Sequence, residues 1–167
     1  MIKSLSFLFL FAVARTTLQA QEERPVRFNL LSSWPGESES RSISSIQVTN
    51  GYAYIGQEDR FEILDVTNPV LPSSLGYCNT AMAVRGLQVV GDSAFLAEVN
   101  YGMVTNNIGR LEVVDISDPE GPNVVGGIDL PGPAYKVRVV GHYAYVAMGA
   151  RWTGSNMAGG LEIFDDL

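Results

Sequence analysis

The stretch RLEVVDISDP, Arg110 to Pro119, is a near copy of RFEILDVTNP, Arg60 to Pro69, fifty residues earlier, and GLEIFDDL from Gly160 begins the pattern a third time. Each copy opens as a strand and closes as a turn. Asp and Ser or Thr side chains bond nearby amides, and Pro presets φ for the reversal. Asp65, Pro69, Asp115, Pro119 and Asp165 are therefore expected to be the turn residues of a structural repeat. The third copy departs from the pattern, because DDL lacks the Ser or Thr and the Pro. Three aspartates at one repeat position could be imagined as a Ca²⁺ set, but turn bonding accounts for the recurrence more simply. The strand halves are apolar on both faces toward their ends, which suits a sheet packed between neighbours.

Upstream of each copy a second signal recurs. IQVTNGYAYIG from Ile46, LQVVGDSAFLA from Leu87 and VRVVGHYAYVA from Val137 align without gaps. Each is a strand, a turn and a strand, with Asn50-Gly51, Gly91-Asp92 and Gly141-His142 at the reversal. These residue types tolerate the positive φ of two-residue hairpins. A fourth strand follows in SSLGYCN from Ser73 and NVVGGIDL from Asn123. The unit is a four-stranded antiparallel meander, and the 17 Gly and 8 Pro, spread along the chain, fit many short strands. FNLLSSWPG from Phe28 resembles VVGGIDLPG from Val124, so residues 28–36 are expected to form a further outer strand.

Four-stranded units of 40 to 50 residues are the mark of a β-propeller blade. The fold class is all-β: a partial β-propeller of about two complete blades, 46–80 and 87–130, an incomplete one at 137–167, and the leading strand. LEVVDISDP, FEILDVTNP and LEIFDDL, preceded by AFLA, AYIG and AYVA, resemble the LVIVD-repeat family of propeller proteins over Phe28 to Leu167. The resemblance implies a secreted or surface-associated protein with no defined catalytic activity. Closed propellers have typically 4 to 8 blades. The expectation is thus a piece of a longer propeller, its remaining blades being on the same or another chain.

Residues 1–20 read as a secretory signal peptide. Lys3 precedes the apolar run Leu5 to Ala14, too short for a membrane span, and Ala20 offers a small residue before Gln21. Removal takes away Lys3 and Arg15 and no acid, so a net charge of −7 becomes −9 for residues 21–167. No run of basic residues offsets it, which argues against nucleic acid as a partner. No transmembrane span is expected after cleavage, and the location is secreted, periplasmic or cell-surface. Cys78 is alone, so no internal disulfide forms, and a small buried apolar role is expected of it.

The units differ between their second and third strands. The first has only QEDR from Gln57, whereas EVNYGMVTNNIGR from Glu98 and MGARWTGSNMAGG from Met148 are nine residues longer. Loops at matching points of successive blades project from one face, which makes Tyr101, Asn106, Asn107, Arg151, Trp152 and Asn156 the candidate ligand contacts. Aromatic rings and amides suit recognition of a protein or carbohydrate. The competing role is structural: the shared Ser/Thr-Asn-x-x-Gly pattern shapes a broad hairpin. One histidine and one cysteine exclude a histidine-assisted nucleophile and a multi-ligand zinc site, so no cofactor or metal is expected. Glu58, Asp59 and Glu98 read as loop carboxylates without a recognisable partner spacing.

The expected role is a binding or scaffold module without intrinsic catalysis. Two alternatives remain: a fragment of a propeller hydrolase or lyase with an acidic central site using groups such as Glu98, and a structural blade array of a larger adhesin. Intact-mass measurement of the protein secreted by its own cell is expected to give a chain starting at Gln21; retention of Met1 or Lys3 would refute the cleavage.

Overall fold

The computed structural model describes residues 28–34, 42–100, 108–153 and 156–165. Among the described residues, eleven strands follow one another. They are β1 (Ser45–Thr49), β2 (Tyr52–Gly56), β3 (Arg60–Asp65), β4 (Ser73–Asn79), β5 (Ala83–Val90), β6 (Ser93–Asn100), β7 (Ile108–Asp115), β8 (Asn123–Leu130), β9 (Ala134–Val140), β10 (Tyr143–Thr153) and β11 (Asn156–Phe164). They form three antiparallel sheets, β1-β2-β3-β4, β5-β6-β7-β8 and β9-β10-β11. The sheets are successive blades, two of four strands and one of three, and they do not close into a ring.

The hairpin turns have the backbone their residues allow. Asn50 and Gly51 lie at φ 53° and 82°, and Gly91 and Gly141 at 58° and 63°. After β3, the Asp65 carboxylate accepts from the Thr67 amide at 2.8 Å and the Thr67 hydroxyl at 2.6 Å. After β7, Asp115 accepts from the Ser117 amide at 2.9 Å. These bonds hold both carboxyls below the usual aspartate range. The pairing of third to fourth strand slips by one residue at Ile63/Leu64 and again at Val113/Val114, so even the bulge repeats.

The core lies between blades rather than within them. Tyr54, Phe61 and Ile63 of the first blade meet Val84, Leu87, Leu96 and Val114 of the second. On the second blade's other face, Phe95, Ala97 and Leu111 meet Val137, Val139, Ala144 and Val146 of the third. Alternate residues of β6 thus serve opposite neighbours, since successive side chains of a strand point to opposite faces. The first blade's leading face, with Ala53, Ile55 and Leu64, packs against Trp34. Residues 28–34, expected within an outer strand, have no strand pairing; the segment is held instead by Trp34 and by a bond from the Ser32 hydroxyl to the Pro69 carbonyl at 2.7 Å.

Two glutamines tie the first strands of adjacent blades together. The Gln47 side chain accepts from the Val89 amide at 2.9 Å and donates to the Val89 carbonyl at 3.3 Å. Gln88 repeats this with Val139, at 2.8 and 3.3 Å. The two stand at the same point of the aligned hairpins, where the third blade has Arg138. Replacing Gln88 by Ala strands the Val139 amide and carbonyl. It is expected to lower the unfolding free energy by about 1–3 kcal/mol, read as a lower urea midpoint with unchanged slope.

Candidate functional site

The β2–β3 turn, the β6–β7 connection and the β10–β11 hairpin all leave their blades at the same end, because each joins a second strand to a third. Of the six candidate contacts, Tyr101, Asn106 and Asn107 lie outside the described residues. The other three are not in a loop. Arg151 and Trp152 are in β10 and Asn156 is in β11, with Arg151 opposite Ala158, Trp152 opposite Met157 and Thr153 opposite Asn156. The insertion is a longer hairpin that passes a register shift between Met148 and Arg151 and continues outward. Ladder hydrogen bonds can continue through added residues that contain no Pro, so the extra length becomes strand.

A cleft of about 400 Å³ opens at this end between the first and second blades, lined by Glu58, Met82, Arg85, Val99 and Asn100. Asn100, the residue before Tyr101 in the sequence, is among the residues that line it. The blade link forms its floor. The Val84 amide donates to the Gln57 carbonyl at 2.9 Å, the Thr80 amide to the Asp59 carbonyl at 3.2 Å, and the Ser44 hydroxyl to the Val84 carbonyl. At the outer edge the Arg60 guanidinium lies over the Tyr77 ring, 4.5 Å from its centroid.

Beneath the cleft the chain buries two carboxyl groups. Glu98, expected as a loop residue, is in β6 and wholly buried; Glu112, in β7, is 3% exposed. The Glu112 carboxylate accepts from Arg110 Nε at 3.1 Å and from the Ala81 amide at 3.4 Å, and Arg110 Nη1 also donates to Asp129 at 2.6 Å. Neither Glu98 oxygen has a well-formed hydrogen bond. Burial, and then the charge of Glu112, push the Glu98 carboxyl up to about 9, against the weaker pull of Arg110 and the Met82 backbone. Glu98 therefore keeps its proton at neutral pH. The first blade explains the arrangement: aligned on the hairpins, Gln57 occupies the place of Glu98 and Glu62 that of Glu112. There Gln57 Nε2 donates to Glu62 at 3.1 Å and the Ser74 hydroxyl donates at 2.7 Å. A protonated carboxyl in the second blade fills the place of that amide.

The same carboxyls act on Cys78, whose thiol burial, helped by Glu112 and Glu98, pushes up to about 11. The thiol is thereby kept protonated and weakly nucleophilic. Among the described residues no three metal-ligating side chains gather, and no helix is long and apolar enough to cross a membrane. Glu62, Glu112 and Glu162 recur at fifty-residue intervals inside the repeated motif, a signal as plain as that of the aspartates. It passed unnoticed because glutamate in a strand reads as a solvent-facing residue.

A family model described as the LVIVD repeat matches residues 40–80, 83–129 and 131–151, more than half of the chain. No curated protein matches. Among solved structures, the computationally designed Ika4 protein is similar at a TM-score of 0.42 and 8% identity, over 84% of this chain and 99% of that one. The computationally designed Ika8 protein is similar at 0.39 and 9%, over 81% of this chain and 48% of that one.

The Glu98 proton sets a pH dependence. The unfolded group titrates near 4.5 and the folded one near 9, so the folded chain binds more protons between those values and stability falls as pH rises through that window. Glu98→Gln, which copies the first blade, is expected to flatten this fall. A denaturation series from pH 5 to 9 checks it, and an equal slope in both proteins would refute the assignment.

Proposed function

The chain belongs to the LVIVD repeat family, and from that premise we propose that it is a secreted or surface-associated recognition module that works without covalent chemistry of its own. The observation that supports this most is the β10–β11 hairpin, extended at the same end of the blades as the cleft. A rigid stack of blades holds these parts in fixed relation, so little ordering entropy is lost when a partner docks. Tyr101 and Trp152 would supply flat apolar contact, and Asn106, Asn107, Asn156 and Arg151 the hydrogen bonds around it. The partner class is a protein or a carbohydrate of the cell exterior, reached after removal of residues 1–20.

The acidic-centre alternative finds no support in the position of Glu98, which is enclosed between two blades and inaccessible to a substrate. Its partner Glu112 is occupied by Arg110 and Ala81. A spacer role would need neither the lengthened hairpin nor its aromatic residue.

The chain has two tryptophans, Trp34 and Trp152, so a Trp34→Phe variant makes emission report on Trp152 alone. Titration of this variant with a panel of cell-envelope polysaccharides and with peptides from neighbouring surface proteins is expected to quench or shift that emission saturably for at least one member. Tyr101→Ala with Trp152→Ala in the full chain is expected to weaken capture of that member about tenfold or more at an unchanged unfolding midpoint. Unaltered capture would overturn the role of these residues.

A further inference from the structure

The three first strands, SIQVT, AVRGLQVV and AYKVRVV, hold Arg85, Lys136 and Arg138 and not one acidic residue, in a chain whose net charge is −7. Arg85 is distant in sequence from Lys136 and Arg138, which is why no basic run announces the three. Stacking of the blades brings them together. A groove of about 290 Å³ along these strands is lined by Ser44, Ser45, Arg85, Lys136 and Arg138, with Gly86 at its wall. A second groove, of about 340 Å³, continues past Gln47 and Gln88 and shares Arg138.

Away from this groove, Arg60 and Arg110 stand beside acids. Arg60 stands 3.7 Å from Asp59, and Arg110 pairs with Glu112 and Asp129. Lys136 and Arg138 are exposed and have no carboxylate within ion-pair distance among the described residues. Arg138 makes a single long bond there, from Nη1 to the Val137 carbonyl at 3.4 Å. Like charges gathered in one groove repel, and a bound anion relieves that repulsion. Arg138 also occupies the place where the preceding blades have Gln47 and Gln88. Glutamine both accepts and donates, as a backbone partner requires, whereas guanidinium only donates, in a fork that fits a carboxylate or phosphate.

We propose that the groove along the first strands, at Arg85, Lys136 and Arg138, binds a small multivalent oxyanion, a polycarboxylate or a phosphate. The site is separate from the projecting hairpin and stands whether or not that hairpin recognises a partner. Arg138 grips two oxygens of the anion, Lys136 supplies a mobile point charge, and Arg85 closes the end nearer the cleft. The small volume admits a compact anion rather than a long chain.

The test is isothermal titration of the full chain at low ionic strength with two probes, citrate and inorganic phosphate. Saturable binding is expected for at least one of them. Citrate alone identifies a carboxylate ligand, phosphate alone a phosphoryl one, and both a general oxyanion site. Lys136→Gln with Arg138→Gln is expected to weaken the binding about tenfold or more, and added salt to weaken it in the unaltered chain. Either single exchange suffices if the double variant does not fold. The Tyr101→Ala, Trp152→Ala chain is expected to retain the anion affinity in full. Absence of binding by both probes, or equal affinity in a folded Lys136 and Arg138 variant, would overturn the proposal.

Discussion

The first and second sheets are each apolar on two faces, and that single constraint governs the rest. A lone four-stranded meander with Ala94 and Leu96 on one side and Phe95 and Ala97 on the other cannot be satisfied by water on either side. It must be stacked. The interfaces are therefore the core, and the blades fold as parts of an array rather than as units with interiors of their own. The first blade's leading face is covered in part by Trp34, an inexpensive device because one indole hides a large area.

Polar groups inside such an interface have to be matched, since water is excluded there. The first blade matches Glu62 with an amide and a hydroxyl. The second matches Glu112 with Arg110 and sets a carboxyl, Glu98, where the amide would be. The two solutions differ by one functional group on the same framework. The amide has no proton to lose in the ordinary pH range, whereas the carboxyl does. Alkali therefore finds a proton to remove at Glu98 and none at Gln57.

Much of the fold was legible in the chain. Asn50-Gly51, Gly91 and Gly141 announced the hairpins, and Asp65 with Thr67 and Asp115 with Ser117 announced the turns, because these are local events governed by a few consecutive residues. What escaped was non-local. Glu98 looked like a loop residue because its partner lies fourteen positions away and on another strand. The lengthened hairpin carries little strand signal of its own, since Gly154, Gly159 and Gly160 weigh against strand locally, while pairing across β10 and β11 outweighs them. Lys136 and Arg138 stand two blades' worth of sequence from Ser44, and only the stacking makes them neighbours.

Gln47 and Gln88 bond their partners through the peptide group. A contact that reads backbone alone is blind to the identity of the residue it meets. When a gene segment encoding one blade is copied in tandem, the new blade arrives already recognised, before any side chain has been adapted to its neighbour. A blade that keeps this glutamine thus couples to any neighbour with the same backbone, so the number of such blades is something that inheritance can change in a single step.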